Sequence, residues 1–145
     1  MKKLTRIILL LILPYGNVIA EEYFMKSIGE NNFKSIIINN EKFTIVENNF
    51  NWIVSLTNYE KGFCYGSILN DNNNININNF CELTDSTENK FWSKVHRVSS
   101  NLESGLGKQQ FFKASDKYKF LLEKDCKYAV SFFHKVNFLL ELKCK

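Results

Sequence analysis

The chain has 145 residues, with 19 Lys and Arg against 15 Asp and Glu, and four cysteines. Three of the basic residues, Lys2, Lys3 and Arg6, lie at the extreme N-terminus; from residue 21 on, 16 basic and 15 acidic residues leave a net charge of +1. A near-neutral domain has no general attraction for nucleic acid, and no run of like charge is long enough to form a tail.

The opening residues carry a targeting pattern. The basic positions precede an unbroken apolar run, Ile7 to Leu13, then Pro14, Gly16 and the small-residue stretch Val18-Ile19-Ala20. This order predicts a cleaved secretory signal over residues 1–20, cut between Ala20 and Glu21. Seven apolar residues are too few to cross a bilayer core about 30 Å thick, which takes about 20 in a helix. No cysteine stands at the cut to take a lipid. The remaining residues, 21–145, predict one domain, and a chain of that size buries roughly two thirds of its unfolded surface. It contains no second long apolar run, so the mature chain is expected to carry no transmembrane segment and to work in the periplasm or outside the cell.

Asparagine is abundant, at 19 residues. Asn, Lys, Ile and Phe share AT-rich codons, and this reading assigns the asparagines to base composition rather than to chemistry. None of them opens an Asn-x-Ser/Thr acceptor site, which suits a bacterial source.

In chain order, Glu21 to Asn32 reads as a short lead-in. Three strands follow at Phe33–Ile38, Lys42–Glu47 and Asn51–Leu56, bounded by turns at Asn39-Asn40, Asn48-Asn49 and Thr57-Asn58. Next come two apolar arms joined through Asn72-Asn73. A two-residue turn there sets Asp71 opposite Asn74 and, counting outward, Cys64 opposite Cys81, a register suited to a cross-strand disulfide. Asn tolerates the left-handed backbone of such a turn. In this register Ile68, Ile75, Ile77 and the cystine share one face, and Phe63, Tyr65, Leu69 and Phe80 the other.

The pattern then changes. Asp85 followed by Glu88 resembles a capping box, and Phe91, Trp92, Val95, Val98 and Leu102 fall on one helical stripe. A helix is predicted over Ser86 to Glu103, closed by Ser104-Gly105, with a loop to Gln110. Strands return at Gln109–Ala114, Tyr118–Lys124, Tyr128–Phe133 and Asn137–Lys143, with turns at Lys124-Asp125 and His134 to Val136. The last turn brings Cys126 opposite Cys144. The expected fold is therefore α+β: roughly eight short antiparallel strands with one long helix packed on a face.

An even number of cysteines in an exported chain predicts disulfides, here Cys64–Cys81 and Cys126–Cys144, each contributing about 3 kcal/mol on the chain-entropy model. A zinc site would call for paired Cys-x-x-Cys spacing, and a catalytic thiol for an unpaired cysteine beside a base. The zinc spacing is absent, and the catalytic thiol is the weaker reading beside structural disulfides.

Motifs for dinucleotides, phosphate loops, a nucleophile elbow or a zinc helix do not occur. His96 reads as a border residue of the helix stripe and His134 as a solvated turn residue. The carboxylates Glu21, Glu22, Asp71, Glu82, Asp85, Glu88 and Asp125 form no pair with evident acid–base spacing. Aromatic content is the richer signal. On the predicted helix Lys90, Lys94 and Arg97 line one side beside Trp92. The adjacent pairs Phe111-Phe112, Phe132-Phe133 and Tyr23-Phe24 would each send one ring away from a core. These residues are the candidate interaction surface. The expectation is a small exported, non-enzymatic binding protein without cofactor or metal, acting on another protein as an inhibitor, immunity or envelope factor does. A secreted host-interacting effector and a small cell-wall hydrolase are the alternatives. The stretch NWIVSLTNYEKGFCYGSI, with Trp52-x-Val54 ahead of Cys64-Tyr65, resembles bacterial invasion-associated exported proteins; it covers under a fifth of residues 21–145, and no expectation is taken from it.

Overall fold

The structure, a computed structural model, describes residues 22–39, 41–54, 60–71, 74–134 and 136–145. The predicted signal and its Ala20–Glu21 cut, the Thr57-Asn58 turn and the Asn72-Asn73 turn lie outside the described residues. Eight antiparallel strands close into an up-and-down barrel, each pairing with its sequence neighbour and the last with the first. They are β1 (Tyr23–Ile38), β2 (Glu41–Ile53), β3 (Glu60–Asp71), β4 (Asn74–Thr84), β5 (Lys90–Ser99), β6 (Gly105–Ala114), β7 (Cys126–Phe133) and β8 (Asn137–Cys144). The seam between β1 and β8 runs from Tyr23 opposite Cys144 to Glu30 opposite Asn137.

This overturns the α+β expectation. The segment Ser86–Glu103 holds no helix: it is a turn, strand β5 and a loop. Asp85 does what a capping residue does, since its Oδ1 accepts from the backbone N–H of Thr87 at 2.8 Å and of Asn89 at 2.9 Å. But Glu88 then takes a left-handed conformation, with φ of 62°, which sends the chain into a strand. Along β5, Phe91, Ser93, Val95 and Arg97 are buried while Lys94, His96 and Val98 are exposed. The apolar positions that suggested a helical stripe divide between the strand's faces, Phe91 and Val95 inside and Trp92 and Val98 outside, and the β-branched and aromatic composition favours the pleated surface.

Other boundaries change too. The lead-in is the first half of β1, and Asn48-Asn49 is no turn but the middle of β2. The predicted loop Gly105–Gln110 belongs to β6, and the predicted strand Tyr118–Lys124 is largely a short 3-10 helix, Asp116–Leu121. It is the one helical element among the described residues. The two hairpin registers agree with expectation: Asp71 faces Asn74, Cys64 faces Cys81, and Cys126 faces Cys144. Both disulfides are present, with Cα separations of 4.0 Å in each case.

The 3-10 helix closes one end of the barrel. Tyr118 and Leu121 point inward onto a plug of rings: Phe91 lies 4.3 Å from Tyr118, 5.2 Å from Trp52 and 5.6 Å from Phe111, centroid to centroid. Both cystines project into the lumen with this core. A bulge keeps β6 in phase with the plug: Trp92 faces Lys113 but Ser93 faces Phe111, so Phe112 has no opposite residue. The extra residue holds Phe111 inside and Lys113 outside, as bulges re-aim side chains. Lys26, Lys61, Lys94, Lys113, Lys127 and Lys143 are exposed on the outer wall among exposed apolar residues such as Phe24, Tyr65, Phe80 and Phe112, while the main apolar core fills the lumen. A transmembrane barrel has an apolar band outside and a polar interior, whereas here lysines interrupt the outer wall and the lumen holds the apolar core. No helix among the described residues is long and apolar enough to cross a membrane.

A polar cluster borders the plug. Buried Asp85 accepts from Tyr118 Oη at 3.1 Å and pairs with Lys117. Burial alone would raise its pKa, but Lys117 and the N–H groups of Asn89 and Thr87 hold it well below the usual carboxylate range. Glu60 is also buried, and its Oε2 has no partner among the described residues. Burial first, then the Asp85 charge, push Glu60 up to about 7, with Lys117 opposing. Folded Glu60 therefore keeps its proton up to about pH 7, whereas the unfolded chain releases it at the ordinary carboxylate pKa. The stabilisation is fully present below that ordinary value and is lost as pH rises through 7, a change of up to about 3 kcal/mol. The melting temperature is expected to fall by roughly 10 °C between pH 5 and 8.5, and Glu60→Gln to remove that fall. Asp85 acts in the opposite sense, losing its contribution only on acidification below that window. Parallel pH profiles for the two proteins would refute the assignment.

Candidate ligand cavity in the barrel mouth

Among the described residues, no helix covers the end opposite the 3-10 helix. There the lumen widens into a cavity of about 330 Å³, lined by Phe33, Val46, Ile68, Ile77, Leu102 and Phe132 on its apolar walls. Inward positions of β1 to β4 and β7 supply most of this wall, because alternate residues of a barrel strand face the lumen. Leu102 and Glu103, from the β5–β6 loop, form its rim.

Its floor is a relay of asparagine side chains. Asn79 Nδ2 donates to Asn48 Oδ1 at 3.1 Å, Asn48 Nδ2 donates to Asn31 Oδ1, and Asn31 Nδ2 donates to the Val136 carbonyl at 2.9 Å. The relay crosses from β4 to β2 over β3, where Gly66 stands. A Cβ at Gly66 would lie 2.0 Å from Asn79 Oδ1 and 2.2 Å from the Asn78 carbonyl. Gly66 is thus the gap through which Asn79 reaches Asn48. Beneath the relay is a smaller void of about 60 Å³, bounded by Ser27, Cys64, Cys81 and Gln109 among others. Asn48 and Asn79 line both spaces. The Oδ1 of Asn79 and the Oγ of Ser27 are buried without a partner among the described residues. Buried polar atoms are normally satisfied by protein, water or ligand, so hydrogen-bonding capacity is left at Asn79 on the floor and at Ser27 in the void beneath it.

Arg97 lies inside the barrel, 2% exposed. Its Nη2 donates to Ser99 Oγ at 3.0 Å, to the Asn101 carbonyl at 3.2 Å and to the Glu103 carbonyl at 2.7 Å. The guanidinium ties down the loop that rims the cavity. Nearby Tyr128 is pushed up to about 12 by burial, with the Arg97 charge pulling the other way.

The sequence-predicted interaction residues divide between the two faces of the wall. Lys90, Lys94 and Arg97 do not line one side: in a strand, Lys90 and Lys94 point out with Trp92, and Arg97 points in. Phe111 is core and Phe112 is exposed; Phe132 lines the cavity and Phe133 is exposed. Tyr23 is buried and Phe24 exposed. On the outer wall Tyr65 is opposite Phe80, and Phe80 opposite Lys94. Phe80 meets Phe112 at 6.3 Å, Lys94 sits 5.8 Å above the Phe80 ring, and Lys113 4.8 Å above Trp92. His96 is outside, its Nδ1 3.0 Å from Asn78 Oδ1, and His134 is an exposed turn residue with φ of 52°. No group of three or more His, Cys, Asp or Glu is placed to hold a metal among the described residues.

Sequence reading missed the floor. Asn31, Asn48 and Asn79 were absorbed into base composition, yet they are three inward positions at one level of the barrel. The signal was alternation: Thr44, Val46, Asn48, Phe50 and Trp52 occupy one face of a single strand.

No protein-family model matches the chain, and no curated protein matches it by sequence. Solved structures share the fold at low identity. A protein of unknown function from Clostridium acetobutylicum is 12% identical with a TM-score of 0.64, over 86% of this chain and 95% of that one. An enzyme from Penicillium herquei is 10% identical with a TM-score of 0.65, over 86% and 94%. A beta-barrel like protein from Acinetobacter baumannii is 11% identical with a TM-score of 0.59, over the same shares. These likenesses establish the barrel architecture.

Proposed function

We propose that the protein is an exported, non-enzymatic binding protein that holds one small, mostly apolar molecule in the mouth of its barrel. The observation that carries this reading is the cavity of about 330 Å³ with apolar walls over an asparagine floor. Eight-stranded barrels are wide enough to hold a single small ligand, and binding cavities typically combine apolar walls with a few fixed polar groups. The wall offers amides and the single carboxylate of Glu103, a set suited to recognition rather than to a nucleophile with its base. Two buried disulfides are compatible with an oxidising, exported compartment, and the basic–apolar–small pattern of residues 1–20 supports export.

The test is titration of the oxidised protein with the neutral apolar fluorophore N-phenyl-1-naphthylamine. Saturable one-to-one binding is expected, weakened at least tenfold by Ile68→Trp, which fills the cavity. Binding that is absent, or indifferent to Ile68→Trp, would overturn the proposal. Clearing of a peptidoglycan suspension by the protein would favour the hydrolase alternative instead.

A second reading, contact with another protein, is supported by the outer aromatic and lysine surface of Tyr65, Phe80, Trp92, Phe112, Lys94 and Lys113. That surface suits an acidic partner, whether an envelope protein or a host protein. It would be favoured if a Lys94→Glu, Lys113→Glu variant lost a partner that the cavity variant retained.

A further inference from the structure

The geometry points to a carboxylate on the ligand, received by Arg97. This rests on the proposed cavity and goes further by naming the ligand's head group. Arg97 is a cation inside the barrel, and no described carboxylate forms an ion pair with it. Its Nη2 is satisfied by one hydroxyl and two carbonyls, all neutral acceptors, while Nη1 is buried without a partner among the described residues. A buried charge left uncompensated is costly, and buried cations are ordinarily paired.

The position of Arg97 connects this cation to the cavity. Its register partner across β4–β5 is Ile77, which lines the cavity. The carbonyl it holds most closely belongs to Glu103, which also lines the cavity. The guanidinium lies across Gly105, its central carbon 2.8 Å from where a Cβ would stand. Any side chain there would push it away, so Gly105 is part of the seat. A single guanidinium offers one positive charge, and the Glu103 carboxylate at the rim disfavours a dianion. One monoanionic oxygen head with an apolar body fits: the body against Val46, Ile68 and Phe132, and the head at Nη1.

The inference is tested by displacement of bound N-phenyl-1-naphthylamine from the oxidised protein with decanoate, decanol and decyltrimethylammonium. Decanoate is expected to bind roughly tenfold or more tighter than decanol, the size of a hydrogen bond to a buried charge, and the ammonium to bind most weakly. Arg97→Gln should collapse the gap between acid and alcohol. Arg97→Lys, which keeps the charge, should retain part of it if the glutamine variant does not fold. Equal binding of decanoate and decanol to the unsubstituted protein would overturn the carboxylate while leaving the cavity reading intact. So would an acid preference unchanged in Arg97→Gln. Fluorophore binding insensitive to all three amphiphiles would overturn both.

Discussion

Replacing all four cysteines by serine is expected to leave the chain largely unfolded at 37 °C. The bridges close loops with sequence separations of 17 and 18, and each contributes about 3 kcal/mol by restricting the unfolded chain. Together they supply about 6 kcal/mol, against a total of roughly 5–15 kcal/mol for an ordinary domain. Burial adds to the loss. Cys126 and Cys144 are almost fully inaccessible in the apolar core, so serine hydroxyls there would have to find partners or remain unsatisfied. The two bridges need not count equally. Cys64–Cys81 borders the inner void beside Ser27 and Gln109, where a hydroxyl has polar neighbours. The Cys126/Cys144 double replacement should therefore be the more damaging. Thermal melts of the oxidised protein, the two double variants and the quadruple variant would measure this. A quadruple variant melting within a few degrees of the parent would contradict it.

The second large effect is expected at Phe91. It is fully buried and touches three other rings, Trp52, Phe111 and Tyr118. Truncation to alanine leaves a cavity that the rigid barrel wall cannot collapse around, so Phe91→Ala should cost about 3–5 kcal/mol. For a domain of this size that corresponds to a fall of roughly 15 °C in melting temperature. The damage should be directional. The 3-10 helix Asp116–Leu121 is held by Tyr118 and Leu121 on this plug, so its amides should exchange with solvent much faster in the variant. Phe112→Ala is the control. Phe112 stands at the bulge with its ring half exposed, and its removal should cost under about 1 kcal/mol. Similar losses at both positions would mean that the plug is not the centre of the core.

The cystine hairpins were legible because their information is local. A symmetric spacing of turn and cysteines fixes which residues face each other, and the structure has the same pairs. Strand β5 was misread because Phe91, Trp92, Val95 and Val98 satisfy the helical period although the strand splits them between its two faces, and because Asp85 caps a turn with the same hydrogen bonds it would use to start a helix. The discriminating residue, Glu88 with its positive φ, carries no clear compositional mark. The first half of β1 was missed for a different reason. Its inward positions include Ser27, Gly29 and Asn31, so a strand facing a polar part of the lumen lacks apolar alternation. The cavity depends on bringing Asn31, Asn48 and Asn79 to one level, and that juxtaposition follows from closure of the barrel rather than from any stretch of sequence. Arg97 was singled out, but on the wrong face, since its orientation changes with the period assigned to β5.

The seam sets a condition on how the molecule assembles. Neighbouring ribbons can zip as soon as each is synthesised, but Tyr23 must wait for Cys144 before its backbone finds a mate. Until the final strand arrives, the first presents an open margin from Tyr23 to Glu30, an invitation to pair with a foreign chain. Ring completion links the first strand to the last, a long-range step of the slow-folding kind. A chain shortened at its C-terminus by the last strand would therefore forfeit more than one-eighth of the wall: it would keep that margin permanently available for aggregation.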